Sequence, residues 1–338
     1  YLKKLIDADQ GTSALHDGGI KIIQPSSSFT LALDDVGAGE MKSNESVYID
    51  IGSKNLKTLN IINKNSSHVR MDNSAGGLSK IHLEGSGNLT LEGVLPTSVK
   101  DIVSETPDIN VKLAIASQAV SVSTDGGSDS ITLDGGTSAI ETGAGDDSIS
   151  LNGGTDHHVR SGLGNDTVDI LQGRNQIFMD DGKDNINVRD GANTIFLEAG
   201  DDSAFISGGD NTITAGDGID RVVVSGGTNT IIAGDGNDVI SLTAGVNHIR
   251  AGNGDDTVTA SGGASNIDIR TLVGGDGNDT LNIVSTGTVS LPAFSEFEQV
   301  HISDTVHQSL NFSLDRNISV NIFLNENIES LDEVILSK

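Results

Sequence analysis

Nine times between positions 127 and 279 the chain sets a glycine, one further residue and an aspartate in a single register: Gly127-Ser-Asp129, Gly145-Asp-Asp147, Gly164-Asn-Asp166, Gly182-Lys-Asp184, Gly200-Asp-Asp202, Gly218-Ile-Asp220, Gly236-Asn-Asp238, Gly254-Asp-Asp256 and Gly277-Asn-Asp279. Each Asp follows its predecessor by 18 residues in six of the eight steps, by 19 once and by 23 at the last. Two positions after each Asp an alternating apolar pair begins, as in Ile131/Leu133, Val222/Val224 and Ile240/Leu242. Period-two alternation predicts short strands with one buried face. A second turn follows, often with Gly-Gly, and then a further apolar residue such as Ile177, Ile195, Ile213, Ile231 or Ile249. One such unit has two strands and two turns and cannot bury its own apolar face, so the units must stack, each strand pairing with its equivalent in the next coil. The fold class expected is all-β, a parallel β-solenoid, with nine coils rising about 4.8 Å each.

The two turns differ in chemistry. One edge carries the Gly-x-Asp turns, and the other places Asn two residues before the buried Ile, at Asn175, Asn193, Asn211, Asn229 and Asn247. Stacked amides of this kind read as a ladder satisfying backbone groups, with no binding role. On the acidic edge, stacking sets one carboxylate above the next. Bare charges at that spacing repel by roughly 0.9 kcal/mol per pair in water and about four times as much at an effective dielectric near 20. Over eight pairs the sum reaches the order of 10 kcal/mol, comparable to the stability of a whole domain. A hard divalent cation removes that penalty, and oxygen-only ligands in a flexible turn suit calcium better than magnesium.

The candidate ligands are therefore Asp129, Asp147, Asp166, Asp184, Asp202, Asp220, Asp238, Asp256 and Asp279, with the carbonyls of the turn glycines Gly127, Gly145, Gly164, Gly182, Gly200, Gly218, Gly236, Gly254 and Gly277. A second glycine precedes six of these turns, at Gly143, Gly162, Gly216, Gly234, Gly252 and Gly275, and joins the set. Asp125, Asp180 and Glu198 replace it in three others. Further acids at Asp146, Asp201, Asp217, Asp235, Asp255 and Asp276 have two readings, extra ligands or solvated surface charge. The insertion around Asp268 to Val273 is expected to open the stack before Asp279. The extra residue near His157-His158 is expected to disturb one second turn. Adjacent strand residues point to opposite faces, so this His pair reads as a solvated insertion and not as a transition-metal site.

Composition narrows the function classes. Asp and Glu number 48 against 20 Lys and Arg, a formal charge of −28, which disfavours phosphate backbones and anionic membrane surfaces. Aromatics at 3% leave few platforms for stacking bases. There is no Cys, hence no disulfide or thiolate metal site, which fits many exported bacterial proteins. No apolar run is long enough to span a bilayer as a helix, and Tyr1 to Asp7 carry no signal-peptide pattern. Neither His-Glu-x-x-His nor Gly-x-Ser-x-Gly occurs, so the expectation is that the chain is not an enzyme.

The Gly-x-Gly-x-Asp turns resemble the RTX nonapeptide repeats of type I secreted bacterial proteins, a likeness that implies a calcium-binding β-roll holding several ions. Flanking segments share a Leu-x-x-Leu-x-Leu cadence: Leu56-Lys-Thr-Leu-Asn-Ile61, Leu78-Ser-Lys-Ile-His-Leu83 and Val99-Lys-Asp-Ile102 before the array, Phe297-Glu-Gln-Val-His-Ile302 and Leu331-Asp-Glu-Val-Ile-Leu336 after it. They predict an irregular β-rich segment over 1–118, as solenoid coils or a sandwich. The calcium-binding roll follows over 119–285, and a C-terminal β cap over 286–338. The combination looks like the calcium-dependent S-layer proteins of Gram-negative bacteria. That resemblance implies a secreted structural protein of the bacterial cell surface that self-assembles into a lattice, with cell-surface polysaccharide a candidate anchor through a region outside this chain. Two other readings stand beside it: a calcium-stiffened module of a large RTX adhesin, and the secretion or folding domain of an RTX exoprotein. The terminal Asp332-Glu-Val-Ile-Leu-Ser-Lys338 reads equally as a type I secretion signal or a final strand.

Overall fold

The computed structural model describes residues 13–16, 19–22, 27–33, 47–51, 54–64, 66–72, 77–93, 95–106, 109–116, 118–262, 267–284, 289–290, 294–303, 310–313, 321–324 and 334–337. Among them there are strands and turns and no helix. The chain divides into two compact units, Tyr1–Val168 and Asp169–Lys338, and the strands of each stack as a parallel β-solenoid.

In the second unit one wall runs through Ser203–Ile206, Arg221–Val224, Val239–Leu242, Thr257–Ala260 and Thr280–Val284, each paired in parallel with the next. The register aligns Ala204, Val222, Ile240, Val258 and Leu281 in one column, every one of them buried. The facing wall runs through Thr194–Ala199, Asp210–Asp217, Thr228–Asp235, Gly245–Asn253 and Ile267–Asp276, aligning Ile195, Ile213, Ile231, Ile249 and Leu272. The core is the filling between these walls. Each fully buried Ile, Leu or Val contributes about 1.5–3 kcal/mol relative to an exposed one.

The first unit uses the same plan with less regular coils. Ser28–Leu33, Thr58–Asn63, Lys80–Gly85, Asp101–Ser104, Ser121–Ser123 and Ala139–Ala144 pair in parallel in that order. The other wall runs from Val47–Ile51 through Ser67–Asp72, Leu89–Gly93 and Val111–Ile115 to Ser130–Leu133. The early segments are thus solenoid coils joined to the acidic coils, not a sandwich. Leu56, Leu78 and Val99 explain the cadence: each is fully buried just ahead of its strand. Ser13–His16 and Gly19–Ile22 form the one antiparallel pair among the described strands. Near the C-terminus Gln299–Ser303 pairs in parallel with Thr280–Val284, and Leu310–Ser313 with Val334–Ser337. Leu331, Asp332, Glu333 and Lys338 lie outside the described residues, as do Tyr1 to Asp7.

Two expectations are corrected. The insertion around Asp268 to Val273 does not open the stack: a bulge between Asn247 and His248 leaves Arg270 without a partner across the ladder, and pairing then resumes at His248↔Thr271. The remaining extra length precedes Ile267, so Thr257–Ala260 still pairs in register with Thr280–Val284. His157 is not solvated. It is buried at the position that Asn occupies in later coils, and its Nε2 meets Gly153 O at 2.8 Å, while His158 stays exposed. The Asn residues reach the carbonyl three positions back, as Asn193 does to Asp190. The imidazole reaches four back, which absorbs the extra residue of the 19-residue step.

Candidate metal centre

Each Gly-x-Asp turn closes one coil and delivers its Asp immediately before a wall strand, where the side chain is buried. All nine template aspartates are buried, none more than 3% exposed. The acidic edge thus carries its template carboxylates inside the coil. The inward carboxylates form ladders. The Val111 N–H donates to Asp129 Oδ1 at 2.6 Å, Asp129 N–H to Asp147 Oδ1 at 2.7 Å, and Asp147 N–H to Asp166 Oδ1 at 2.8 Å. In the second unit the same bond joins Asp184 to Asp202, Asp202 to Asp220, Asp220 to Asp238, Asp238 to Asp256 and Asp256 to Asp279, at 2.7 to 2.8 Å. One oxygen of each of Asp129, Asp147, Asp166, Asp202, Asp220, Asp238, Asp256 and Asp279 is therefore spent on the neighbouring coil.

The other oxygen is not. Oδ2 of each of Asp129, Asp147, Asp202, Asp220, Asp238, Asp256 and Asp279 is buried and has no hydrogen-bond partner. A buried carboxylate oxygen left so is costly, and burial accordingly lifts these carboxyls from 3.8. Asp129, Asp202, Asp238 and Asp279 are raised to about 7, and Asp147, Asp220 and Asp256 to about 6. Burial is the largest cause throughout; the N–H bond from the preceding coil lowers each value, as do the hydroxyls of Thr124 beside Asp129 and Thr142 beside Asp147, and neighbouring acids raise it. Repulsion along the column is thus secondary to loss of water, a reversal of the order inferred from spacing alone.

The glycines form two stacks beside this ladder. At Gly254 φ is +126°, and a methyl group there would sit 2.0 Å from the Gly236 carbonyl oxygen. The same relation sets Gly127 O against Gly145, Gly145 O against Gly164, Gly182 O against Gly200, Gly200 O against Gly218, Gly218 O against Gly236 and Gly254 O against Gly277. In the first-glycine stack it sets Gly143 O against Gly162, Gly216 O against Gly234, Gly234 O against Gly252 and Gly252 O against Gly275. The absent side chains are what let carbonyl oxygens come so close to the next turn. Asp180 and Glu198, which stand in for that glycine, adopt φ of +65° and +73°.

Among the described residues no three His, Asp or Glu side chains converge closely enough to hold an ion on their own. A cation here would need further oxygen donors, and the backbone carbonyls of the glycine stacks are the candidates. Buried oxygens without partners, hard oxygen donors only and carbonyl-lined turns fit calcium.

Four of the exposed acids bond to the next coil. Asp146 Oδ1 accepts the Asn165 N–H at 2.8 Å, Asp201 Oδ1 the Ile219 N–H at 3.0 Å and Asp255 Oδ1 the Asn278 N–H at 2.9 Å. Asp235 accepts from Asn253 Nδ2 at 2.5 Å. On the opposite turn Asn175, Asn193, Asn211, Asn229 and Asn247 form the amide ladder read from the sequence, each Nδ2 donating to the Oδ1 of the next at 2.8 to 3.2 Å.

Sequence reasoning missed Glu298. Its Oε2 accepts the Asp279 N–H at 2.7 Å and so occupies the next rung. The signal was present: Glu298 precedes Val300 by two, as Asp279 precedes Leu281, but Glu296-Phe-Glu298 replaces Gly-x-Asp.

A family model for the RTX calcium-binding nonapeptide repeat matches the chain in four copies, over residues 180–213, 205–240, 232–267 and 271–282. These repeats bind calcium, and the matched spans include the turns of Asp184, Asp202, Asp220, Asp238, Asp256 and Asp279. No curated protein and no solved structure gives a significant match.

Proposed function

For a chain that carries four RTX calcium-binding repeats on a parallel β-solenoid, we propose a secreted structural role: the protein binds several calcium ions along the roll of residues 119–285 and self-assembles into a bacterial cell-surface array. The ligands in this reading are the nine template aspartates with the carbonyls of the turn glycines. The observation that carries it is the column of buried Oδ2 atoms without partners. In calcium-poor surroundings these carboxylates disfavour the closed coil, and in calcium-rich surroundings the ion replaces the water they lose, so binding and folding are one event. RTX-repeat proteins are typically exported, and that location meets the requirement for calcium.

No catalytic role is assigned. The matched repeat is a structural calcium-binding fold, and the buried carboxylates are committed to the ladder. Self-assembly rests on the resemblance of the flanking coils and the repeat array to S-layer proteins. Calcium, then magnesium, titrated into the EDTA-treated chain while far-UV circular dichroism and light scattering are followed, tests both parts. β-structure and particle size should rise together with calcium and not with magnesium. Folding without growth removes the array and leaves a calcium-stiffened module, whereas a fully folded, calcium-indifferent chain removes the whole reading.

A further inference from the structure

The acidic ladder ends in a coil unlike the rest. Across the four preceding coils of the second unit the buried residue five positions before the template Asp is Leu197, Ala215, Ala233 or Ala251. Before Asp279 the same position is Gly274, in register with Ala251 between the pairs Arg250↔Val273 and Gly252↔Gly275. Its backbone does not demand glycine, because Gly274 is not among the positive-φ residues. Space demands it. A methyl group there would sit 2.6 Å from Asp279 Oδ2 and collide with the carbonyl oxygen of Glu296. Two oxygens therefore converge on the volume that Gly274 leaves open.

One of them, Asp279 Oδ2, belongs to a residue with 0% exposure and has no hydrogen-bond partner. A third donor stands alongside: the half-buried Glu298 carboxylate, held by the Asp279 N–H through Oε2. Glu296 itself adopts φ of +61°, a conformation costly for a residue with a side chain, at the place of the second turn glycine. Phe294 and Phe297, which flank this glutamate in the sequence, are buried and packed edge to face at 6.0 Å between ring centroids.

We infer that this turn is a terminal calcium site, formed by Asp279 Oδ2, the Glu298 carboxylate and the Glu296 carbonyl in the space beside Gly274, which closes the ladder beyond the last Gly-x-Asp repeat. It rests on the calcium-binding reading above and extends it by Glu296 and Glu298, which lie outside the matched repeats, to donors facing Gly274 and Asp279 of the last matched copy. Oxygen donors of mixed type in an irregular turn select calcium over the octahedral, water-retaining magnesium ion.

Native mass spectrometry of the full chain in calcium counts bound ions directly. Glu298→Gln keeps an acceptor for the Asp279 N–H and removes the charge; Gly274→Ala fills the space and leaves every carboxylate. Each variant is expected to bind one ion fewer than the parent. Asp238→Asn, within the matched repeats, serves as the reference for a repeat site. If Asp238→Asn loses calcium while both terminal variants keep the full complement, the terminal site is refuted and the repeat sites stand. If the parent chain binds no calcium, the functional reading falls first. Should Gly274→Ala fail to fold, Glu298→Gln alone decides.

Discussion

At the scale of one residue, Asp238 does two incompatible things. Its Oδ1 accepts the Asp220 N–H at 2.8 Å, a bond that holds two coils in register, while Oδ2 is buried without a partner and burial lifts the carboxyl to about 7. Asparagine keeps the acceptor and removes the charge. Without calcium at pH 8, Asp238→Asn should therefore be more stable than the parent by about 1–3 kcal/mol, the cost of a buried charge less that of an unpaired amide. With calcium it should gain less from the ion. Thermal melts in EDTA and in millimolar calcium check this, and a variant less stable than the parent in EDTA would show that the carboxylate is satisfied without metal. The identity of Asp238 was legible from its 18-residue spacing, but its direction was not. A Gly-x-Asp turn is compatible with a carboxylate in water or one folded under the turn, and only the N–H donated across coils selects the second. Glu298 was illegible for another reason: the motif that flagged the others had lost its glycine, and only the offset to Val300 remained.

At the scale of the element, the coils stay in register through two unlike devices. The wall pairing was readable because alternation and an 18-residue period leave one way to bury Ile213 on Ile231 and Val222 on Ile240. Where the period fails the outcome was not readable. The number of extra residues says nothing of whether a bulge at Arg270 or a longer turn takes them up. The second device is the amide ladder. Asn211 receives the Asn193 Nδ2–H at 2.8 Å and donates to Gly208 O at 2.9 Å and to Asn229 Oδ1 at 3.1 Å. Asn211→Ala leaves a buried donor on Asn193 without its ladder acceptor and a buried acceptor on Asn229 without its donor. The expected cost is about 2–4 kcal/mol, read as a lowered urea midpoint in saturating calcium. Calcium stoichiometry should be unchanged, because the ladder lies on the turn opposite the aspartates. Loss of ions in this variant would mean that the two turns of a coil are not independent.

At the scale of the whole molecule, the same carboxylates make the fold answer to pH in a direction opposite to ordinary acid denaturation. The raised values, about 6 for Asp147, Asp220 and Asp256 and about 7 for Asp129, Asp202, Asp238 and Asp279, mean that the metal-free folded chain binds more protons than the unfolded chain between pH 4 and 7. Stability from these groups is complete below the unfolded value of about 4 and is lost as pH rises through 6 to 7. The formal charge of −28 acts in the same sense, since self-repulsion grows as carboxyls ionise. In EDTA the melting temperature should fall between about pH 4.5 and pH 7 and level off above that. Calcium should flatten that slope, because an ion that takes the proton's place holds Oδ2 at either pH. Calcium uptake near pH 6.5 should release protons, measurable by calorimetry in buffers of differing ionisation enthalpy. Net charge alone would give a pH slope that survives neutralisation of the ladder. In a chain with Asp202, Asp220, Asp238 and Asp256 all changed to Asn, the proton release should shrink and the slope in EDTA should flatten. An undiminished slope would assign the effect to surface charge and not to the buried column.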